Sequence, residues 1–421
     1  MTTARTPTGS PPAHVAAVQR RTLGVLTAAQ ITSGMGVAVG FTLSSVVVTD
    51  LSGSKAVGGL AGTATVLGAA LLALPTAKAA GRGGRRTGLT LAYGCAILGC
   101  LLAVLSITIG SWPLLLAGLV LFGSGSAGNL ASRYSATDLS PPGHAARHLS
   151  WVVWAATIGS VAGPNLAQPA EDLGRRLGLA PYTGPFVLAL LAFTLAVIII
   201  SAGLRPDPLV LARSLAAPQA EETAAGKPRG TLGTAWRSLR ESPAALRALA
   251  AIAVGHTSMV SIMSMTPIHL HQHGAGFSII GMVISLHVVG MYVLSPLVGW
   301  LADRIGRVRV LVLGMALLLV SAVLAGTAGE HGVAQVTAGL ILLGLGWSCC
   351  LVSGSAMLTE AVPLERRPSV QGLSDLVMNG CGAAGTVIAG VIVEVLSYGT
   401  LGAAVAVLVT ATGLWLALDR R

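Results

Sequence analysis

The stretch "GWLADRIGRVRV", residues 299–310, places Asp303, Arg304, Arg307 and Arg309 within seven positions of a chain that is only 10% charged. Apolar runs flank it on both sides. Such a knot of charge between two apolar runs reads as a tight turn between membrane-crossing segments. Glycine permits the bend at Gly306. The arginines hold the turn on the cytoplasmic face and can meet lipid phosphates. The acid has a different use, because a carboxylate at a membrane surface is best placed near a neighbouring helix N-terminus, where the dipole favours negative charge.

Working outward from this turn, composition fixes the class. Hydrophobic residues make up 53% of the 421, whereas globular domains carry about 25% charged residues. A chain this poor in charge cannot cover its surface against water, so an ordinary soluble enzyme is excluded and lipid is the expected solvent. The formal charge of +11 would suggest nucleic acid in a soluble protein. Here the basic residues sit between apolar runs, so they report membrane topology and no nucleic acid is expected. Cys95, Cys100, Cys349, Cys350 and Cys381 all fall inside apolar runs and read as small buried hydrophobes, neither disulfides nor metal ligands.

Twelve apolar segments are expected, at approximately 22–49, 56–76, 88–109, 113–135, 148–169, 184–204, 244–267, 277–299, 310–328, 334–358, 370–395 and 400–418, each helical because lipid offers the backbone no partners. Residues 1–21 read as a disordered cytoplasmic tail without a cleavable signal. Segments 1–6 form an N-terminal bundle over 22–204, and segments 7–12 a C-terminal bundle over 244–418. The proline-punctuated stretch 205–243 reads as a cytoplasmic linker with a surface helix near 233–242. With both termini in the cytoplasm, Arg20, Arg21, Lys78, Arg82, Arg85, Arg86, Arg147, the linker, Arg304, Arg307, Arg309, Arg366, Arg367, Arg420 and Arg421 lie inside, and only Lys55, Arg175 and Arg176 lie outside.

The two bundles are repeats of one another. "GRGGRR" (81–86) follows segment 2 and "DRIGRV" (303–308) follows segment 8. Matching Arg82 to Arg304, Gly84 to Gly306 and Arg85 to Arg307 sets an offset of 222. The loops after segments 4 and 10, "TDLSP" (137–141) and "TEAVP" (359–363), share that offset through Asp138 with Glu360 and Pro141 with Pro363, and Gly163 lands on Gly385. Parallel repeats of this kind occur in transporters that rock one half against the other.

These residues resemble the major facilitator superfamily (MFS) over essentially the whole chain. Gly299, Leu301, Ala302, Asp303, Arg304, Gly306 and Arg307 match its loop signature. The first-half copy is degraded, with Gly81 in place of the acid and Ala77 in place of the first glycine. The resemblance implies an all-α membrane protein of twelve helices in two six-helix pseudo-repeats. It also implies that Asp303 latches onto the cytoplasmic start of segment 5, near His148 to Trp151. "GSVAGP" (159–164) resembles the element carried in segment 5 by the family's drug:proton antiporter branch, through Gly159, Gly163 and Pro164. The family's usual arginine in segment 4 would fall near Leu119 and is absent.

Ionisable groups inside the membrane are costly and therefore candidates for function. His256 and His287 are expected near the bilayer midplane in segments 7 and 8, where a group titrating near neutrality suits a proton carrier. Asp375 reads as a second proton site or a helix N-terminal acid. Arg133 either snorkels to the headgroups or pairs with Asp138 or with an anionic substrate. The resemblance places the cavity between segments 1, 4, 7 and 10, giving Gln30, Ser33, Ser126, Asn129, His256, Ser261 and Trp347 as lining. "HLHQH" (269–273) alternates histidines in an outside loop, but no acid or cysteine completes a metal site, so a wet interfacial loop is expected and no metal.

The expectation is therefore a transporter and not an enzyme: a secondary, proton-coupled exporter of small amphipathic or weakly polar compounds. The partners expected are a small-molecule substrate, protons and membrane lipids, with no cofactor and a monomeric state. A proton-coupled importer of a metabolite and a non-transporting receptor on the same fold are the alternatives. The excess of arginine over lysine fits a bacterial inner membrane.

Overall fold

The computed structural model describes residues 13–220, 232–273, 277–329 and 332–418. The chain forms helices α1 (Ala13–Ser52), α2 (Lys55–Gly83), α3 (Arg85–Ile109), α4 (Trp112–Phe122), α5 (Ser124–Ser135), α6 (Ala145–Arg176), α7 (Gly184–Gly203), α8 (Pro208–Ala220), α9 (Leu232–Glu241), α10 (Pro243–Gln272), α11 (Phe277–Tyr292), α12 (Ser295–Ile305), α13 (Arg307–Gly326), α14 (Val333–Glu360), α15 (Arg367–Val395) and α16 (Tyr398–Leu418). Two pairs of these are single spans with an interruption. α4 and α5 meet at Gly123 and cross as one unit, Trp112–Ser135, and α11 and α12 meet near Leu294. With α8 and α9 in the linker, twelve spans remain. Eleven are long and apolar enough to cross a bilayer by length and composition. The twelfth, α6, is 32 residues long, or about 48 Å; Trp151, Trp154 and Asn165 dilute its hydropathy without shortening it.

Each half packs in the same way. In the first, α1 lies against α6 and α7, and α3 against α4 and α7; in the second, α10 lies against α15 and α16, and α13 against α14 and α16. The offset of 222 therefore carries from sequence into packing. It also carries into backbone detail. Gly84 (φ 86°) and Gly306 (φ 99°) each form the whole connection between two helices, in a conformation that costs glycine little and other residues more. Their amides close the preceding helix in the same way, Gly84 N–H onto Ala80 and Gly306 N–H onto Ala302.

The expected tail over 1–21 is corrected in part. Residues 1–12 lie outside the described residues, but helix α1 begins at Ala13. Val15 and Val18 explain this, since both are buried in a small cluster with Leu139 and Ala212. Gln19 Nε2 adds a hydrogen bond to the Ala136 carbonyl at 2.7 Å. Arg20 and Arg21 thus sit on a docked helix.

Candidate functional site

The two halves meet along two seams at the arginine-rich end, α12 on α6 and α2 on α15. Among the described residues, every hydrogen bond and ion pair that joins the halves directly lies at this end.

The first seam carries the quoted signature. Asp303 Oδ1 accepts from Ala146 N at 3.2 Å and Oδ2 from Arg147 N at 2.9 Å. These are first-turn amides of α6, which have no partner within their own helix, and the helix dipole favours a carboxylate there. The contact falls at Ala146 and Arg147, not at His148 to Trp151, because α6 starts at Ala145, earlier than the apolar pattern suggests. Arg307 braces the acid at 2.5 Å and pairs with Glu360 at 2.7 Å. Arg304 turns back over the ring of Trp300, 5.0 Å from its centroid. Gly299 lets the helices touch: a side chain there would run into Ser150. Ser295 Oγ donates to the Ser150 carbonyl at 3.2 Å.

The second seam has lost this latch on both sides. Gly81 occupies the position of Asp303, and Pro368, the equivalent of Ala146, has no N–H to offer. A Cβ on Gly81 would lie 3.8 Å from that of Pro368. The small residue has also changed helix: Ala77 stands for Gly299, and Gly372 stands for Ser150, so close approach is preserved with its parts exchanged. Buried charge replaces the latch. Arg85 grips Asp138 in a two-pronged pair at 2.7 and 3.0 Å and donates to Gln371 of α15 at 2.8 Å; Gln371 Nε2 continues to Thr359 at 3.1 Å. Arg85–Asp138 is the repeat of Arg307–Glu360, but the first pair is buried and Glu360 is exposed.

Arg133 completes the second seam. Its guanidinium donates to Asp375 at 2.7 Å, to Ser355 at 3.1 Å, to the Leu130 carbonyl at 2.8 Å and to the Tyr134 hydroxyl at 3.2 Å. Arg133 and Asp375 are both almost fully buried. Snorkelling and pairing with Asp138 are therefore corrected. Arg133 points inward across the interface, and Asp138 is already held by Arg85. Ser355 is the repeat-equivalent of Arg133, so the cation bonds across the pseudo-symmetry axis to its own counterpart.

The two histidines are not brought together. Trp347 Nε1–H donates to His256 Nδ1 at 3.1 Å. An indole only donates, so His256 is neutral here with its proton on Nε2. That edge faces the space left by Gly382, where a Cβ would lie 2.9 Å from Nε2. His287 is fully buried and donates Nδ1–H to the Leu340 carbonyl at 2.8 Å, leaving Nε2 without a partner. Tyr292 stands edge-on to Trp347 with ring centroids 5.7 Å apart, so α10, α11 and α14 present an aromatic group of which sequence reasoning identified two members.

In the first half, Ser33 Oγ lies 2.6 Å from Asn129 Oδ1, Tyr93 donates to the same oxygen at 3.1 Å, and Ser132 donates to Gln30 at 2.6 Å. Gln30 and Ser33 are buried and tie α1 to α5; Ser126 and Asn129 are half-buried and Ser261 is buried. Gly159 and Gly163 sit where α6 crosses α1, with room for no side chain: a Cβ would lie 2.6 Å from Met35 N and 2.9 Å from Val39 N respectively. Pro164 follows on the exposed side. At the opposite end of the molecule His269 stacks on Tyr398 at 4.3 Å, with the His273 ring 4.4 Å away; the His271 side chain lies outside the described residues. Among the described residues no group of three or more His, Cys, Asp or Glu could hold a metal ion.

Two six-helix halves of like packing, locked at one end by charge buried between them, define a membrane transporter. The chain belongs to the Major Facilitator Superfamily, whose family model matches residues 26–279 and 257–421. It is 34% identical over 389 residues, 92% of this chain and 89% of the relative, to the MFS-type transporter YdeG of Bacillus subtilis. It is 28% identical over 386 residues, 89% of each chain, to the riboflavin transporter RfnT of Brucella anthropi. Among solved structures, the proton:xylose symporter XylE superposes with a TM-score of 0.74 at 13% identity, covering 96% of both chains, a likeness of fold alone.

Proposed function

We propose that the protein is a proton-coupled exporter of small amphipathic or weakly polar compounds that works by rocker-switch alternating access. In this reading the chain is caught outward-facing, with both cytoplasmic seams shut. The observation that carries it is the buried Arg133–Asp375 pair. A buried charge deprived of its partner is costly, so parting the halves at the cytoplasmic end requires Asp375 to take up a proton or Arg133 to find another partner. Asp375, Arg133 and His256 are the proton-coupling residues of this account, and His287, bonded to a carbonyl of its own half, positions α11 against α14. Asp303 and Arg307 gate the first seam, and Arg85 with Asp138 the second. Gly159, Gly163 and Pro164, shared with the antiporter branch by resemblance, support the export direction. The cavity between the halves takes its polarity from Ser126, Asn129, Ser261 and the Trp347–His256 pair, none of them a fixed charge, which favours an uncharged or weakly polar cargo in a bacterial inner membrane.

Inside-out vesicles loaded with a pH-sensitive dye test this. With the lumen acidified, exported compounds from a chemically diverse panel evoke proton efflux beyond that of empty-vector vesicles. A panel that evokes none removes the export reading. One observation favours a second reading, import of a metabolite: the 28% identical relative from Brucella anthropi is a riboflavin transporter. Including riboflavin and following its direction of movement separates the two.

A further inference from the structure

The second seam also encloses a cavity. It measures about 20 Å³ and lies between α2, α3, α5 and α15, with Thr76, Arg85, Tyr134, Ser135, Gln371 and Asp375 among its lining. That is room for one water, which needs at least about 10–15 Å³ and two to four polar partners. The partners are present. Asp375 is bonded through Oδ1 and Arg85 through Nε and Nη2, so among the described residues Oδ2 of the acid and Nη1 of the cation make no hydrogen bond. Thr76 is buried, and its Oγ1 has no protein partner. Thr42, Thr65 and Thr108, by contrast, each donate to the carbonyl four residues back in their own helix. The first seam is apolar at the equivalent point. By the offset of 222, Val298 stands for Thr76 and Val153 for Asp375, both buried in the apolar core, and the larger Met357 stands for Ser135.

We propose that this cavity binds a single water, positioned by Thr76, that takes the proton from Asp375 when the cytoplasmic end opens. Asp375 lies about two turns inside α15, so its proton needs a carrier to reach cytoplasmic solvent. Arg85, the first residue of α3, lines the arginine-rich end of the same cavity. In the release step the carboxylic O–H bond breaks and the water becomes a hydronium. The hydronium gives its extra proton to cytoplasmic water, and Asp375 is left a carboxylate, ready to pair with Arg133 again. The Arg85 cation beside the water repels the hydronium and so favours its departure. Thr76 is a positioning residue: its hydroxyl fixes the water, while the proton passes between the acid and the water. The proposal rests on the reading of Asp375 as a proton-coupling residue.

Three measurements on the full chain test it. In a cryo-electron microscopy map that resolves waters, one should stand within hydrogen-bond reach of Thr76 Oγ1 and Asp375 Oδ2. Thr76→Val, which keeps the shape of the side chain, should remove it. A dry cavity in the parent protein overturns the proposal. In the vesicle dye assay, Thr76→Val should slow substrate-evoked proton movement about tenfold, the factor that one lost hydrogen bond takes from the water's occupancy. Thr76→Ser should restore it. Equal rates in Thr76→Val and the parent, or no rescue by Thr76→Ser, overturn the proposal as well. Gating is read separately. Ser135 is buried and lines the cavity, so a hydrophilic maleimide added from the cytoplasmic side reaches a cysteine there only when the seam opens. In a Ser135→Cys, Cys381→Ser background, with no substrate or proton gradient, Thr76→Val should leave the labelling rate unchanged. A rise would make Thr76 part of the closure and not of the proton's route. A parent protein that moves no protons with any compound, with the water in place, fails the proton-coupled reading and the relay with it, but leaves the water site standing.

Discussion

The two cytoplasmic seams solve one problem in different ways. Along α12 and α6, a single acid caps the backbone of a helix in the other half, braced by a half-buried Arg307 that pairs outward with the exposed Glu360. Along α2 and α15, the acid and one of the two amides it would have met are gone, since Pro368 replaces Ala146 while Ser369 keeps the amide of Arg147, and the closure rests on buried side chains, Arg85–Asp138–Gln371 and Arg133–Asp375–Ser355. The physical consequence is asymmetric. A surface carboxylate on helix amides contributes on the order of 1 kcal/mol, is screened by salt and does not demand a proton to open. A buried pair resists separation by about 3–5 kcal/mol when one partner is stripped away, and a proton on the acid is the natural means of releasing it. In the proposed mechanism the first seam is a latch and the second is where closure is tied to protonation.

The largest expected effect falls on the second seam. Asp375→Asn leaves Arg133 buried without its counter-charge, so transport driven by a proton gradient should be lost and Ser135→Cys labelling should rise about a hundredfold, about 3 kcal/mol. A coupled, normally gated Asp375→Asn would erase the distinction between the seams. Next comes Asp303→Asn, which weakens two amide contacts and the brace from Arg307; turnover should fall about tenfold while membrane insertion stays intact. Wild-type turnover would reduce the quoted loop to a topology anchor. The histidines separate more finely. His256→Ala should abolish substrate-evoked proton movement, whereas His287→Ala, which removes a buried bond to a carbonyl already paired within α14, should cost about 1 kcal/mol of stability with coupling retained. Thermal unfolding in detergent and the dye assay check the two halves of that statement, and loss of coupling in both variants would contradict it. The smallest effect sharpens the comparison by repair. Gly81→Asp alone regains only the Ser369 amide, the repeat of Arg147, and should change gating less than the double change. Gly81→Asp with Pro368→Ala restores the acid and both amides and should slow Ser135→Cys labelling about threefold.

Much of this was legible in the sequence, and the reasons are particular. Local charge between apolar runs gave the turns at Gly84 and Gly306, because a membrane forbids most other placements of arginine. One offset of 222 joined loops far apart and carried through to Gly84 with Gly306 and to Arg85–Asp138 with Arg307–Glu360. The pairing of Arg133 with Asp375 was not legible, since it joins residues 242 positions apart and leaves no periodic trace. Only the repeat could have hinted at it, by placing Ser355 opposite Arg133. Depth in the membrane was a poor guide to the histidines: it said how far in they lie, not that His256 turns to Trp347 and His287 to a backbone carbonyl. The docking of α8 on the first half, through Asp207 to Arg86 and Arg213 to Gly81, was hidden for another reason. Arg213 and Asp207 lie in a stretch whose prolines and mixed charges read as tether, and nothing in their local pattern announces contact with Gly81 and Arg86.

The central claim is that the seams open and close as the protein works, and a reversible cross-link tests it most directly. A Cβ on Gly81 would stand 3.8 Å from the Pro368 Cβ, and cysteines at these two positions would thus fall within the usual Cβ–Cβ span of a disulfide. Gly81→Cys with Pro368→Cys, in the Cys381→Ser background, should transport when reduced, stop when oxidised and recover with dithiothreitol. Full transport by fully cross-linked protein would contradict the account.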